Sequence, residues 1–296
     1  MPKIAVIGGT GYLASLIKNQ NKLKNNKFFY LSRKKKSKNY INFSNIEKKK
    51  DFFKKFDFIV HLLGPNKSQI EKKIGLIKKK NEITSKICDI CINYNIKLIY
   101  ISSMQVYKNY GKAKINVNSA INLTDSYARS HYEAEKIILK KFRNKDHMFT
   151  ILRLGNVFGF NKNFNINELS NNLIHDFCKS ALKRQKIIVE NGKIQRQFIP
   201  SHIFVNIINK TINNKILNNS ILNVGYKVFN LKEISLLIKK RFQKIYNKNI
   251  SLIIKNYEQI RKKTIYINKH YYLNFDIKKI YLEIDQVLRN MKRNLF

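Results

Sequence analysis

The chain has 296 residues, of which 44% are hydrophobic, and its 59 lysines and arginines against 18 acidic residues give a formal net charge of +41. This content is sufficient for a globular core, while 10 glycines, 3 prolines and 3 cysteines exclude a long flexible linker and a disulfide framework. The charge is typical of nucleic-acid partners, but the basic runs, such as 33–36 and 78–80, are scattered along the chain, which favours solvated surface charge over a dedicated binding face.

Short apolar runs alternate with helical patterns in the first half of the chain. The predicted strands are 3–7, 28–31, 56–63, 97–101 and 149–152, and the predicted helices between them include 12–19 and 82–93. Strands that alternate with helices form a parallel sheet with helices on both faces. We therefore predict an α/β fold, a Rossmann-like doubly wound parallel sheet.

The pattern loosens beyond residue 152. An asparagine-rich stretch at 161–172 precedes an amphipathic helix at 173–182, and 195–224 has the pattern of a return to the sheet. Further amphipathic helices are predicted at 231–241 and 277–291. The expected organisation is a first domain of 1–160, to which 195–225 returns, and a smaller interleaved region made of 161–194 and 226–296.

A glycine-rich turn follows the first strand. Gly8, Gly11 and Ala14 are small residues at the points where a backbone turns tightly, approaches a pyrophosphate, and lets a helix touch a strand. The amide groups and positive dipole end of the next helix would face the phosphates. The alternative is a tight turn without a ligand, but the strand before it and the helix after it favour a dinucleotide site.

The second strand ends in Ser32 and Arg33, followed by three lysines, where dinucleotide-binding proteins usually have a carboxylate for the ribose hydroxyls. A 2′-phosphate would be attracted to this charge, which favours NADP over NAD. The alternative is that Arg33 is one more surface cation of a basic chain.

Six segments follow one another in an order found in a known family. They are 57–64 (DFIVHLLG), 102–107 (SSMQVY), 127–131 (YARSH), 153–159 (RLGNVFG), 196–199 (RQFI) and 223–225 (NVG). In them the chain resembles the extended short-chain dehydrogenase/reductases, the NAD-dependent epimerase/dehydratase family acting on nucleotide sugars. The resemblance implies hydride transfer at a sugar carbon, with 1–160 binding NADP or NAD and the smaller region binding the nucleotide sugar.

The same resemblance implies a set of site residues. Ser103 would hydrogen-bond the substrate oxygen, and Tyr127 would exchange the proton at that oxygen. The implied catalytic residues are Ser103, Tyr127 and His131; the cofactor-binding residues are Gly8, Thr10, Gly11, Tyr12, Leu13, Ser32, Arg33, Leu63, Gly64, Ser102, Tyr127, His131 and Gly155; and the substrate-binding residues are Met104, Asn156 and Arg196.

Position 131 departs from the family pattern. A tyrosine with a pKa near 10 needs a nearby cation to act as a base at neutral pH, and the family places a lysine four residues after it, whereas this chain has His131. Histidine is about neutral at pH 7 but can hydrogen-bond a ribose hydroxyl. An adapted enzyme is favoured over an inactive one, and a shifted pair, Tyr132 with Lys136, is the alternative assignment.

Other features predict no further chemistry. Cys88 and Cys91 lie on a predicted helix and are expected to be buried structural thiols, and His61 is expected in the core. The 6 histidines show no metal-ligand spacing, so no metal site is predicted. No signal peptide or membrane-spanning stretch is recognised, which predicts a cytoplasmic protein without a membrane partner.

Two alternative functions remain open at this point. The loss of the lysine at 131 would fit a non-catalytic dinucleotide-binding protein, and the net charge of +41 would fit a nucleic-acid-binding protein. The leading prediction is the enzyme, without a nucleic-acid partner and, from the resemblance, as a homodimer.

Overall fold

The computed structural model describes residues 1–20, 26–32, 40–42, 47–73, 75–108, 115–146, 148–160, 172–213, 219–255 and 276–295. The strands in these ranges are β1 (Lys3–Ile7), β2 (Lys27–Ser32), β3 (Tyr40–Asn42), β4 (Phe58–His61), β5 (Lys97–Ser103), β6 (Phe149–Leu154), β7 (Asn156–Phe158), β8 (Lys186–Val189), β9 (Gln195–Pro200), β10 (Ser220–Val224), β11 (Lys227–Asn230) and β12 (Ser251–Ile254). The helices are α1 (Tyr12–Gln20), α2 (Lys67–Lys72), α3 (Gly75–Asn93), α4 (Ser126–Lys141), α5 (Leu173–Arg184), α6 (Ser201–Asn213), α7 (Leu231–Tyr246) and α8 (Ile277–Leu295).

The central sheet has seven strands in the order β10-β6-β5-β4-β1-β2-β3. The pairs β3–β2, β2–β1, β1–β4, β4–β5 and β5–β6 are all parallel. The chain winds to one side of β1 through β2 and β3 and to the other side through β4, β5 and β6. The predicted α/β, Rossmann-like fold is therefore confirmed, and its order reverses between β1 and β4, where open sheets of this kind bind ligands.

Both faces of this sheet are buried. On one face, strand residues such as Ala5 and Ile59 share a cluster with Ile87 of α3 and Ile138 of α4. Adjacent strand residues point to opposite faces, and those on the second face are also fully buried: Ile4, Val6, Val60 and Ile99. Strands covered on both faces read as continuous apolar runs, which is why they were predictable.

The predicted strands and helices are found, most of them with small changes at their ends, but α3 begins at Gly75, seven residues before the predicted start of 82–93. The structure adds β3, which at three residues is too short for a recognisable pattern, a 3₁₀ helix at Glu47–Lys55, and the elements α2, α6, β7, β8, β11 and β12, which were not predicted individually. Residues 195–224, predicted to return to the central sheet, are divided between two sheets. β10 lies in the central sheet, whereas β9 lies in a three-stranded sheet of order β11-β9-β7.

The chain forms two compact units. The first comprises Met1–Lys108, Ala120–Leu154 and Val205–Asn223, and the second comprises Asn109–Ser119, Gly155–Phe204 and Val224–Phe296. The assignment of cofactor binding and substrate binding to separate regions stays a prediction.

The second unit has its own apolar core, formed mainly by α5, α7 and α8. A buried carboxylate, Glu283 of α8, accepts hydrogen bonds from the Ser201 hydroxyl and from His202 Nδ1, the latter at 2.9 Å. Here α8 brings a carboxylate to the start of α6 from elsewhere in the sequence.

None of the helices in the described ranges is long and apolar enough to cross a membrane.

Candidate active site

The turn between β1 and α1 is closed by contacts that only small residues permit. Gly8 has a φ of 89°, and a Cβ atom on it would lie 3.0 Å from the backbone nitrogen of Leu63. The Gly11 N–H donates to the Gly8 carbonyl oxygen at 2.9 Å. Tyr12 and Leu13 then begin α1, whose first amide groups lack partners within the helix. The turn is therefore tight enough to bring the first backbone amide groups of α1 to one point. A pyrophosphate binds to such a helix N-terminus.

The end of β2 lies against this turn. The Ser32 hydroxyl donates to Thr10 Oγ1 at 3.5 Å, and the Gly9 N–H donates to the Leu31 carbonyl oxygen at 2.9 Å. Arg33, the residue on which the preference for NADP was based, lies outside the described residues. The structure brings Ser32 to the predicted cofactor turn and leaves the role of Arg33 a prediction.

Replacing Gly8 with alanine should lower the free energy of unfolding by about 1–3 kcal/mol, because a Cβ atom is strained at positive φ and would press on Leu63. Urea titration followed by circular dichroism measures the change. Gly75→Ala is the matched control, since a Cβ atom on Gly75 meets nothing within 4 Å and alanine favours the helix. An equal loss of stability in both variants would contradict the assigned strain.

Ser103 and Tyr127 are brought together from two elements of the first unit. Ser103 is the last residue of β5, and its Oγ accepts the Gln105 N–H at 3.2 Å, which starts a short 3₁₀ turn. Tyr127 lies in the first turn of α4, which is capped by the Asp125 carboxylate through the Ala128 N–H at 2.9 Å. The side chains of Ser103 and Tyr127 lie close enough for the Ser103 hydroxyl to lower the pKa of Tyr127. The two residues predicted to share one substrate oxygen are therefore neighbours.

The environment of Tyr127 keeps its hydroxyl protonated. Burial raises the pKa of this hydroxyl, the neighbouring Ser103 hydroxyl lowers it, and the Asp125 carboxylate raises it, so that it lies above 10.0. The alternative pair is differently placed, because Lys136 is exposed and its ammonium lies 5.4 Å from the centre of the Tyr132 ring. The structure thus brings Tyr127, and not Tyr132, to Ser103.

His131 lies one helical turn beyond Tyr127, and the two rings meet edge to face with centres 4.7 Å apart. Burial, the Lys80 charge and the His61 charge place the pKa of His131 well below 6.5, so its imidazole is neutral at pH 7. Its Nδ1 lies 3.2 Å from the Tyr100 hydroxyl, which keeps its proton because burial raises the pKa of Tyr100 well above 10.0. Among the described residues Nδ1 is the only hydrogen-bond partner of this buried hydroxyl, so we assign the Tyr100 hydroxyl as the donor to Nδ1 and the proton of His131 to Nε2.

A buried ion pair fixes α4 against the sheet behind these residues. Glu135 accepts from Arg153 Nε at 3.0 Å and Arg153 Nη2 at 2.6 Å, and from the Ser102 hydroxyl at 2.5 Å. Arg153 Nη1 also donates to the Tyr107 hydroxyl at 2.7 Å. Ser102, predicted to bind the cofactor, is thus bonded to Glu135. The sequence alone predicted no role for the Glu135 carboxylate or the Arg153 guanidinium.

Lys80 of α3 was assigned to a solvated basic run, and this assignment is wrong. Its side chain is 3% exposed, and its Nζ donates to the Ser130 carbonyl oxygen at 2.9 Å and to Ser130 Oγ at 3.1 Å. The helical spacing was the signal that could have found it. Lys80 follows Ile77 by three residues and precedes Thr84 by four, and both lie on the buried face of α3.

His61 is buried at the end of β4, as predicted. Its Nδ1 accepts from the Leu63 N–H at 3.3 Å, and its Nε2 lies 3.0 Å from Thr84 Oγ1. Because the Thr84 hydroxyl donates to the Lys80 carbonyl oxygen at 2.9 Å, His61 Nε2 is the donor. Protonation of the ring would place a hydrogen on Nδ1, which could then no longer accept the hydrogen bond of the Leu63 N–H. Burial and then the Lys80 charge lower the pKa of His61 to about 3.

The stability of the protein should therefore fall as the pH is lowered below 6.5. Between the usual pKa of histidine and the native value of about 3, the unfolded chain binds a proton that the native protein does not, which costs about 1.4 kcal/mol per pH unit. Urea unfolding at pH 7.5, 6.0 and 5.0 measures the slope. His61→Asn keeps an acceptor for the Leu63 N–H but does not titrate, so its slope should be smaller by about one proton. Equal slopes would contradict the assignment.

The remaining predicted residues are divided between the units. Gly64 and Met104 belong to the first unit, with Met104 buried. Gly155, Asn156 and Arg196 belong to the second. The backbone at Gly155 approaches Gln197 so closely that a Cβ atom would lie 2.6 Å from the Gln197 Cβ atom, and Arg196 Nη1 donates to the Gln195 carbonyl oxygen at 2.9 Å. The roles of Asn156 and Arg196 stay predictions.

Cys88 and Cys91 are buried on α3, as predicted. Burial raises the pKa of Cys88 to about 12 and the pKa of Cys91 well above 9.0, so neither thiol is reactive at neutral pH. Over the ranges that the structure describes, no group of three or more His, Cys, Asp or Glu side chains could hold a metal ion.

The fold is shared with solved structures. The chain is similar to a UDP-N-acetylglucosamine 4-epimerase from Bacillus cereus (21% identity, 98% of this chain and 100% of that chain, TM-score 0.78) and to MoeE5 in complex with UDP-glucose and NAD (13% identity, 99% and 100%, TM-score 0.77). It is also similar to TunA, an NAD dependent-NDP-hexosamine 5,6-dehydratase (14% identity, 99% and 98%, TM-score 0.74). At these identities the similarity establishes the fold.

Curated protein sequences give no significant match. The family model of the NAD dependent epimerase/dehydratase family, however, matches residues 4–225, which is more than half of the chain. The resemblance carried by the six sequence segments is thereby confirmed, and the chain belongs to the NAD dependent epimerase/dehydratase family.

Proposed function

We propose that this protein is an enzyme that uses a bound nicotinamide dinucleotide to transfer hydride at a sugar carbon of a nucleoside-diphosphate sugar. The observation that carries the proposal is the proximity of Ser103 and Tyr127, whose pKa the Ser103 hydroxyl lowers, at the same edge of the sheet as Gly8. β1, β4 and β5 are parallel neighbours, so the ends that carry Gly8, Leu63 and Ser103 meet at one edge, at the reversal of strand order.

The residues of this edge fit a dinucleotide. Gly8 lets the turn pack closely against the backbone of Leu63, and Gly11 lets it fold back on the Gly8 carbonyl oxygen. Ser32, whose hydroxyl bonds Thr10 Oγ1 at 3.5 Å, ends the neighbouring strand. Gly8, Thr10, Gly11, Tyr12, Leu13 and Ser32 would hold the adenosine and pyrophosphate, and Leu63, Gly64, Ser102 and His131 would hold the nicotinamide half. The bound cofactor would supply the hydride acceptor and donor.

Ser103 and Tyr127 divide the work at the substrate oxygen. The Ser103 hydroxyl would orient that oxygen, and Tyr127, which is protonated at neutral pH, would donate its proton when a carbonyl is reduced. In the reverse direction Tyr127 accepts the proton of a sugar hydroxyl, which requires a positive charge nearby. His131 offers its Nε2–H to a ribose hydroxyl but, being neutral, does not supply that charge.

The nucleotide-sugar class is supported by the similar proteins, which are named for UDP-sugars and an NDP-hexosamine. The family model and the complex of MoeE5 with NAD support NAD, whereas the basic run after Ser32 favours NADP by its charge. We propose that the chain uses a nicotinamide dinucleotide of either kind for an epimerase or dehydratase reaction.

A direct test uses the purified protein freed of bound nucleotides. Calorimetric titration with NAD⁺, NADH, NADP⁺ and NADPH measures cofactor binding, and incubation with a panel of UDP- and dTDP-hexoses, followed by proton NMR of the sugars, measures turnover. We expect micromolar or tighter binding of a dinucleotide and conversion of at least one nucleotide sugar. Tight cofactor binding without any conversion would support the second candidate, a non-catalytic dinucleotide-binding protein, which the neutral His131 favours.

A further inference from the structure

Tyr100 is a buried tyrosine of β5 that contacts α4 at position 131. It is 1% exposed, and its hydroxyl lies 3.2 Å from His131 Nδ1. Residues two apart in a strand share a face, so Tyr100 lies on the same face of β5 as Ser102, whose hydroxyl also contacts α4, through Glu135. Strand β5 thus presents two hydroxyls to the helix that carries Tyr127.

Only one direction of the hydrogen bond between Tyr100 and His131 satisfies both groups. If the hydroxyl donates to Nδ1, its proton is bound, and the proton of the neutral ring lies on Nε2. If Nδ1 carried the ring proton, the hydroxyl would accept it and would have no acceptor for its own proton, because within the described part of the chain Nδ1 is its hydrogen-bond partner. A buried donor without an acceptor is costly, so Tyr100 is the donor.

A second proton on the His131 ring is opposed by the groups around it. The titratable side chains that act on Tyr100 and His131 come from α3, β4 and α4 and are Lys80, His61, Tyr127 and Glu135. The Lys80 ammonium donates to the carbonyl oxygen of Ser130, the residue before His131, at 2.9 Å. Burial lowers the pKa of Lys80 to about 7, so Lys80 is charged over the acidic range in which a histidine takes up its second proton. The ring therefore stays neutral, with one donor and one acceptor.

The other nitrogen of the His131 ring is available to a ligand. His131 is half-buried, and over the ranges that the structure describes the Tyr100 hydroxyl, at Nδ1, is the hydrogen-bond partner of its ring. The ring also packs edge to face on Tyr127, with centres 4.7 Å apart. Nε2 thus belongs to a ring that lies beside the residue proposed to act on the substrate oxygen.

We propose that Tyr100 is a positioning residue for His131: by donating to Nδ1 it fixes the ring proton on Nε2, so that His131 presents one hydrogen-bond donor to a ribose hydroxyl of the dinucleotide. This inference rests on the proposed function of the Ser103–Tyr127 pair. The lysine that the family pattern places at 131 can only donate, whereas an imidazole nitrogen is a donor in one tautomer and an acceptor in the other. Tyr100 selects the donor and so lets a neutral histidine take over that part of the role of the lysine.

The tautomer of His131 can be measured without cofactor or substrate. Protein carrying ¹⁵N-labelled histidine is studied by long-range ¹H–¹⁵N correlation NMR at pH 7.5, and the His131 resonances are identified by their loss in His131→Gln. We expect a protonated Nε2 and an unprotonated, hydrogen-bonded Nδ1. In Tyr100→Phe the Nδ1 resonance should move downfield, as for a nitrogen without a donor, and a measurable fraction of the rings should carry the proton on Nδ1.

Tyr132→Phe is the matched control for this measurement. Tyr132 directly follows His131 in α4 but lies beside Lys136, so removing its hydroxyl should leave the His131 resonances in place. Circular dichroism establishes that each variant is folded. A proton on Nδ1 in the unchanged protein would overturn the proposal even if Tyr100→Phe does not fold. Unchanged His131 nitrogen resonances in a folded Tyr100→Phe protein would overturn it as well.

Cofactor binding separates a positioning role of Tyr100 from a purely structural one. Tyr100→Phe should weaken dinucleotide binding roughly three- to tenfold in calorimetry, because some rings no longer offer a donor. In the His131→Lys background the same substitution should change the affinity by less than about twofold, since a lysine needs no neighbour to make it a donor. Equal losses in both backgrounds would overturn the positioning role. If the unchanged protein binds no dinucleotide, the proposed function and the ribose contact both fail, whereas the NMR result still decides whether Tyr100 sets the tautomer of His131.

Discussion

Replacing Tyr127 with phenylalanine should reduce turnover of the nucleotide sugar by roughly 10³-fold while leaving the dissociation constant of the dinucleotide unchanged. Phenylalanine keeps the ring that packs edge to face on His131 but removes the hydroxyl that lies beside Ser103. Without that hydroxyl no group at this position can pass a proton to or from the substrate oxygen. Steady-state kinetics and calorimetry on the same preparation measure both quantities.

The neighbouring tyrosine of the same helix provides the control. Tyr132 forms the alternative Tyr-x-x-x-Lys spacing with Lys136, which is exposed, and Tyr132→Phe should retain most of the activity. If Tyr132→Phe were inactive and Tyr127→Phe active, the proposed register of the site would be wrong by five residues.

Breaking the Glu135–Arg153 pair should be the most destabilising single change in the first unit. Arg153→Met leaves the Glu135 carboxylate, which is fully buried, without its counter-ion, and such a loss costs about 3–5 kcal/mol. Thermal and urea unfolding measure the change. Lys141→Met removes a cation from the exposed pair with Asp89 and should cost less than about 1 kcal/mol.

The combined variant Glu135→Leu with Arg153→Met shows where the cost arises. Removing both charges should cost less than Arg153→Met alone, because the penalty comes from the unpaired carboxylate and not from the loss of the contact. A double variant less stable than Arg153→Met would contradict this account.

The parts of the fold that are encoded locally could be predicted from the sequence. The strands of the central sheet are apolar runs because both of its faces are covered, and the Gly8 turn is fixed by the conformation of a few adjacent residues. Ser103 and Tyr127 were found through the family pattern, and their contact follows from where β5 and α4 meet.

The charges inside the first unit could not be assigned in this way. Lys80 lies in a run of three lysines in a chain with 59 basic residues. Composition therefore does not distinguish this one buried lysine from the exposed ones. Its burial depends on α4 packing against α3, which brings Ser130 to its ammonium. Glu283 is a similar case, because its partners Ser201 and His202 are more than 80 residues away in sequence. Such contacts are decided by tertiary packing.

The three buried thiols give each unit its own reporter of opening. Cys88 and Cys91 lie in the first unit and Cys178 in the second, and all are free and buried. A thiol reagent can modify them only when the surrounding helices separate, so the rate of modification of each cysteine reads the local unfolding equilibrium of its own unit. Comparing the modification rates of the three cysteines with and without a dinucleotide would therefore show, without any added label, whether the dinucleotide stabilises the first unit alone or both units.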